Sequence, residues 1–410
     1  SKKFVELIKN IEEKQSPIGI SGLSNVGMLE TIASINEYSK KPIAIITYNE
    51  IQAKWIMENI QFFTDKAIYF PKKDIVTYDY VAESKDLPYS RIEALNKINS
   101  KRNYILVTTI EAAMQKLPAK QLLYKNTLKF KVGEIHSLDK IKQNLVNLGY
   151  TRCDLIEGRG QFSLRGGILD ISINDAIGVR VEFWGDEIDS IRNFNIISQR
   201  SINTLEKVEI EPAHEYILEK PIEEICKKVR KTIANDEQEE IIEQDIEQIK
   251  AGNYISKIDK YFDCFYDKQE TIIDYLNTNS IITFDEIRKI EQRAQNIIKD
   301  NEQLIKNLIE KGKVVPQAIS NIQTFSSIEN NTKESEKTII CIEKQDTKIE
   351  RQAQNYNFQY RAINYYKSEI ETLFTDIKKA QEKGKNIYVV VDTKEKAKKL
   401  QEILEQENII

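Results

Sequence analysis

Apolar residues along this chain repeat with two spacings, and the alternation between them is the first guide to architecture. Phe4, Leu7, Ile8 and Ile11 share one face of an amphipathic helix that Pro17 ends. Ile18-Gly19-Ile20 then reads as a strand, and the turn from Ser21 to Leu29 leads into a helix carrying Ile32, Ala33 and Ile35. Strands at Ile43–Tyr48, Ala67–Phe70 and Tyr104–Thr108 alternate with helices at Ile51–Phe62, Arg91–Ile98 and Ile110–Leu117. Such alternation predicts a parallel sheet with helices on both faces.

From residue 127 the pattern changes. Thr127–Val132 is a strand, Ser137 is placed to cap a helix carrying Leu138, Ile141, Leu145 and Leu148, and Thr151–Ile156 is a strand again. A meander follows. Phe162, Leu164, Ile168, Leu169 and Ile171 supply apolar positions, with Gly160, Gly166 and Gly167 where the chain bends or a neighbouring backbone comes close. Val179, Val181 and Phe183 point one way; Arg180, Glu182 and Trp184 point the other. Gly185-Asp186 is a tight hairpin turn. One face buries aliphatics, and the other presents Arg165, Arg180, Glu182, Trp184, Asp186 and Glu187. A Trp among arginines and acids suits a protein-binding surface, because Trp and Arg carry binding energy and charges set register. A solvated sheet face with one partly covered Trp fits the same composition.

Lys207–Glu211 closes this inserted segment, and Pro221–Lys250 is helical and highly charged. Tyr261, Phe262, Phe265 and Tyr266 read as core between helices, with base stacking as the other use of such a cluster. Ile281–Phe284 is a buried strand, followed by Asp285, a candidate helix cap, and a long helix to Lys311. Thr324–Lys337 is polar enough to read as a linker or long loop. Beyond it lie a strand at Thr338–Ile342, a helix around Tyr365–Lys383, a strand at Ile387–Asp392 and a helix from Thr393, its N-cap, to Glu405. The fold class is α/β: a parallel-sheet domain (1–117), an inserted small α+β domain (118–208), a segment completing the first (209–345) and a small C-terminal α/β domain (346–410).

Composition narrows the function. At 410 residues the chain is long enough for about three domains. A formal charge of −4 argues against strong nonspecific affinity for duplex DNA. Four scattered cysteines without a Cys-x-x-Cys, and only two histidines, predict neither a zinc site nor a disulfide framework. No long apolar run or signal peptide appears, so a cytoplasmic location without membrane contact is expected.

Gly22-x4-Gly27 has the frame of a phosphate-binding loop between strand and helix. A working loop continues with Lys for the phosphates and Ser or Thr for magnesium. Here Met28 and Leu29 stand in those places, and neither a thioether nor an isobutyl group can do that work. Gly22, Gly27, Met28 and Leu29 are therefore read as a structural turn, with no catalytic residue, metal or nucleotide expected in this chain. Tyr78 and Tyr80 precede a stretch of about ten residues before Arg91. That length allows a short loop, where Pro88 and Asp86 suit a turn, and an out-and-back reach under about 20 Å.

Gly160-Gln161-Phe162-Ser163-Leu164-Arg165-Gly166, Leu169-Asp170 and Arg180-Val-Glu-Phe-Trp184-Gly-Asp186-Glu187 resemble the domain 2 shared by two bacterial nucleotide-excision-repair families. These are UvrB and the transcription-repair coupling factors; in both, the resemblance implies, this domain docks UvrA. Ser172-Ile173 departs from the Phe-Pro usual there. UvrB keeps an intact phosphate loop and a long aromatic hairpin near the position of Tyr78, so this chain is more similar to the coupling factors' N-terminal UvrB-homology module. The resemblance implies a non-catalytic adaptor, with Arg165, Arg180, Trp184, Asp186 and Glu187 contacting UvrA. It further implies a full-length protein whose C-terminal ATP- and magnesium-dependent translocase acts on double-stranded DNA and RNA polymerase, restrained by this module. Asp285-Glu286 resembles the acidic pair of a helicase. A UvrB-like helicase subunit and a plain α/β scaffold for another partner are the alternative readings.

Overall fold

The structure, a computed structural model, describes residues 2–73, 86–125, 127–218, 220–233, 236–251, 255–310, 322–343, 354–359, 366, 369–407 and 409. It divides into two compact units, Ser1–Gln359 and Tyr360–Ile410.

The first unit begins α1 (Lys2–Glu12), β1 (Ile18–Ser21), α2 (Asn25–Ser39), β2 (Ile43–Thr47), α3 (Glu50–Ile60), β3 (Ala67–Phe70), α4 (Asp86–Ser100), β4 (Ile105–Thr109) and α5 (Ile110–Met114). Helix α4 starts five residues before Arg91, so Pro88 lies in a first helical turn and not in a loop. There its missing N–H leaves nothing unsatisfied. The Tyr78 and Tyr80 loop lies outside the described residues. After β5 (Leu117–Pro118) and α6 (Lys120–Tyr124) comes the insertion. It comprises β6 (Leu128–Lys131), α7 (Leu138–Asn147), β7 (Thr151–Arg152), β8 (Gln161–Arg165), β9 (Ile168–Ser172), β10 (Ile177–Trp184), β11 (Glu187–Asn195), β12 (Ser201–Leu205) and β13 (Lys207–Ile210).

The chain then returns through α8 (Ile222–Arg230), α9 (Asp236–Lys250), α10 (Ile255–Phe265), β14 (Gln269–Glu270), α11 (Ile272–Tyr275), β15 (Ile281–Asp285), α12 (Ile287–Glu310), α13 (Phe325–Glu334), β16 (Thr338–Glu343) and β17 (Gln354–Asn357). The main sheet runs β17-β1-β16-β15-β2-β4-β3, every pair parallel. Its inner strands β1, β16, β15, β2 and β4 are buried on both faces, which is why they read as apolar runs. One face packs on α1, α2 and α3 through Leu7, Met28, Ile32 and Ile56. The other packs on α4, α5, α12 and α13 through Leu95, Met114, Ile290 and Ile328. Tyr261, Phe262, Phe265 and Tyr266 are buried with Ile225, Ile242 and Ile246 in a helical core, as their spacing predicted.

Helix α13 corrects the linker expected at Thr324–Lys337. Thr324 Oγ1 accepts from Ser327 N at 3.1 Å, and Ile328 and Thr332 are fully buried on one face. A good N-cap and one apolar anchor per turn suffice for a short helix that tertiary packing supports.

The inserted strands form a second sheet, β12-β11-β10-β9-β8-β7, antiparallel except for the short β7–β8 pair. Val179, Val181 and Phe183 point into a core shared with Leu145 and Leu148. Phe183 N donates to Gly167 O at 2.7 Å, and a Cβ on Gly167 would stand 2.6 Å from Phe183 O, so this position is reserved for glycine. Ser172 Oγ both accepts from Gln161 N (3.0 Å) and donates to Gln161 O (3.1 Å), tying the end of β9 to the start of β8.

In the second unit, α14 (Ile370–Glu382) and α15 (Lys394–Gln406) bury Leu373, Ile377 and Leu404. Thr393 caps α15, accepting from Lys396 N at 3.2 Å. The strand expected at Ile387–Asp392 is not formed: the run is irregular, and Tyr388 and Val390 are exposed. A strand persists only where a neighbour takes its hydrogen bonds. Among this unit's described residues there is no strand to do so.

Candidate protein-docking face

The outer face of the inserted sheet is built around one carboxylate. Asp170 pairs with Arg180 across β9–β10 and with Ser163 across β8–β9, so register alone brings these side chains together. Asp170 is only 1% exposed. Its Oδ1 receives Arg180 Nε at 2.6 Å and its Oδ2 receives Arg180 Nη2 at 2.8 Å, a bidentate fork. Arg165 Nη2 reaches Oδ2 at 3.4 Å, and Gln199 Oε1 accepts from Arg180 Nη2 at 3.2 Å. The Arg180 guanidinium also lies over the Phe194 ring, 4.6 Å from its centroid. The hydrogen-bonded Asp170 carboxylate raises the pKa of Arg180 further above its ordinary value.

Two residues along β10, Glu182 is held in the same manner. Arg192 grips it through Nη1 at 3.0 Å and through Nη2, and Ser190 donates to it at 2.8 Å. Arg192 and Ser190 together hold this carboxyl below the usual carboxylate range. Beyond it, Trp184 stands 85% exposed at the strand end. Gly185, at φ +64, makes the turn after it, and Asp186 and Glu187 are exposed. Glu187 is the register partner of Trp184. The face thus carries a bare indole beside charges whose geometry is already set.

Of the five residues singled out from the sequence, Trp184, Asp186 and Glu187 are exposed, Arg165 is half-exposed, and Arg180 is mostly covered. Sequence reading missed the organising role of Asp170. Flanked by Leu169 and Ile171 it looks like an interruption of an apolar cluster, and only cross-strand register reveals its partners. Ile168, one of the apolar positions of the meander, lies on the outer face, 38% exposed, opposite Arg165 and Glu182.

The turn between β1 and α2 has a different character. Helix α2 begins at Asn25, so only Gly22, Leu23 and Ser24 lie between the elements. Ser24 Oγ accepts from Gly27 N at 3.0 Å, occupying an amide that a phosphate loop would offer. A Cβ on Gly22, at φ +69, would lie 2.8 Å from Asn357 Oδ1, so β17 closes over the turn. Met28 and Leu29 are 0% exposed and belong to the core. Asp285 accepts from Thr47 Oγ1 (3.2 Å) and Gln52 Nε2 (3.0 Å), which ties β15 to β2 and α3. Among the described residues no group of three or more His, Cys, Asp or Glu side chains could hold a metal ion, and no helix is long and apolar enough to cross a membrane.

Residues 128–216 match the family model described as the UvrB interaction domain. The transcription-repair-coupling factor of Bacillus subtilis (strain 168) is 28% identical over 330 residues, 77% of this chain and 28% of that protein. The factor of Staphylococcus aureus (strain bovine RF122 / ET3-1) is 29% identical over 306 residues, 72% and 26% of the two chains. The chain therefore spans little more than a quarter of the length of these curated relatives. The resemblance drawn from the meander is borne out: these matches support a coupling-factor N-terminal module, with a UvrB interaction domain at 128–216.

Proposed function

We propose that this chain is a non-catalytic adaptor whose outer sheet face docks UvrA, linking stalled transcription to nucleotide excision repair. The exposure of Trp184 beside pre-set charges carries the reading. A large apolar ring held out on a rigid strand loses little conformational freedom on binding and gains desolvation energy in a partner's pocket. Trp184 is the anchor, Arg165 the carboxylate partner, and Asp186 and Glu187 the rim. Arg180, committed to Asp170 and Phe194, acts by positioning Arg165 and stiffening β10.

The chain's own turn at Gly22–Leu29 gives a triphosphate neither a cation nor a free helix start, so no ATP or magnesium site is assigned to it. In the longer protein, a C-terminal ATP- and magnesium-dependent translocase would act on double-stranded DNA and RNA polymerase, and this module would restrain it, in the cytoplasm. Co-migration of the purified chain with purified UvrA on size exclusion is the test: a shared peak is expected, and separate elution at micromolar concentrations of both refutes the proposal.

A further inference from the structure

The docking face extends beyond the meander onto a residue that no strand of the sheet supplies. Strand β12 pairs with β11 from Ile191 onward, leaving the edge of β11 near Glu187 without that neighbour. The segment before α7 fills it: Gly133 N donates to Ile188 O (2.8 Å), Ile188 N to Glu134 O (2.9 Å) and His136 N to Asp186 O (2.8 Å). Ile135 thereby bridges Glu187, which on its other side pairs with Trp184. Directly paired residues share a face. Ile135 and Trp184 therefore project from the same side, two strand spacings or about 10 Å apart.

Ile135 is 76% exposed. Solvent-facing edge positions ordinarily carry charge, so a bare isoleucine pinned there by backbone hydrogen bonds calls for a partner. Ile168 continues the apolar row on β9, diagonal to Trp184. Charged groups punctuate the row: Glu187 stands between Ile135 and Trp184, and Arg165 is paired with Ile168.

We infer that Ile135 is a second apolar anchor for UvrA, so that the partner presents two apolar contacts about 10 Å apart on either side of Glu187, with carboxylates facing Arg165. This inference rests on the proposed docking function. It assigns to the segment between β6 and α7, within the matched domain, a direct part in recognition.

The test compares Ile135→Ala, Ile135→Asp and Trp184→Ala for affinity to purified UvrA, with melting temperatures alongside. Ile197→Asp is the control: it is 87% exposed but beyond the far end of β11. Ile135→Ala is expected to weaken binding roughly three- to tenfold and Ile135→Asp more than tenfold, with melting temperature and the control unchanged. Wild-type affinity in both Ile135 variants while Trp184→Ala binds weakly overturns this inference and leaves the docking function standing. Wild-type affinity in all three refutes the docking function itself. Equal loss in Ile197→Asp shows a nonspecific charge effect and also overturns the inference.

Discussion

Arg180 delivers Nε and Nη2 to the two carboxylate oxygens of Asp170, at 2.6 and 2.8 Å, between directly paired positions of β9 and β10. The pair is almost covered, so neither member can be removed without leaving a stranded charge or an unmet donor. Asp170→Asn should destabilise the protein by about 2–4 kcal/mol, read by urea unfolding, and should lower UvrA affinity through loss of order at Arg165 and Arg180. Stability unchanged within about 0.5 kcal/mol would show that the fork has no structural weight.

Gly149, at φ +89, leaves room for the His214 ring: a Cβ there would stand 2.2 Å from His214 Cδ2. Gly149→Ala combines a left-handed backbone with a clash against the His214 ring, which the bond from Tyr216 N holds in place. A loss of about 2–4 kcal/mol is expected in chemical denaturation.

The same ring gives the protein a pH response. Burial lowers the pKa of His214 from 6.5 to about 4, and its Nδ1 accepts from Tyr216 N at 3.1 Å. Above pH 6.5 neither the folded nor the unfolded chain protonates it. Between about 6.5 and 4 the unfolded chain takes up a proton that the folded one refuses, so stability falls as pH falls through that window. From pH 7 to pH 5 the loss should reach about 1–2 kcal/mol. His214→Asn keeps an acceptor for Tyr216 N and should flatten the slope. Glu211, raised by burial and by Glu209, acts in the opposite direction, so the difference between variant and wild type isolates the ring.

Met28→Lys with Leu29→Thr would restore the letters of a phosphate loop without restoring the loop. Both side chains are core, and α2 starts before them. The double variant should lose about 3–5 kcal/mol of stability and still show no heat of ATP binding by titration calorimetry. Tight magnesium-ATP binding by this variant, or by wild type, would contradict the account of the turn.

The sequence's legibility followed the range of the interactions. Strand–helix alternation, the hairpin at Gly185 and the exposed Trp184 are local patterns, and each appears where the spacing placed it. Asp170 and Ile135 take their meaning from partners across a sheet, at Arg180 and Glu187, and no local pattern announces such register. Helix α13 was hidden because its polar surface outweighs its two buried positions, Ile328 and Thr332. The irregular run at Ile387–Asp392 shows the converse: β-forming residues do not make a strand without a neighbouring backbone to pair with.

The most direct measurement is the affinity of UvrA for the Arg165→Ala, Trp184→Ala double variant, made by biolayer interferometry alongside its melting temperature. Both side chains lie outside the core, so the account predicts an unchanged melting temperature and binding weakened by a hundredfold or more, about 3 kcal/mol. Full binding by the double variant would contradict it, as would a collapsed melting temperature, which would make these residues part of the fold and not of its docking face.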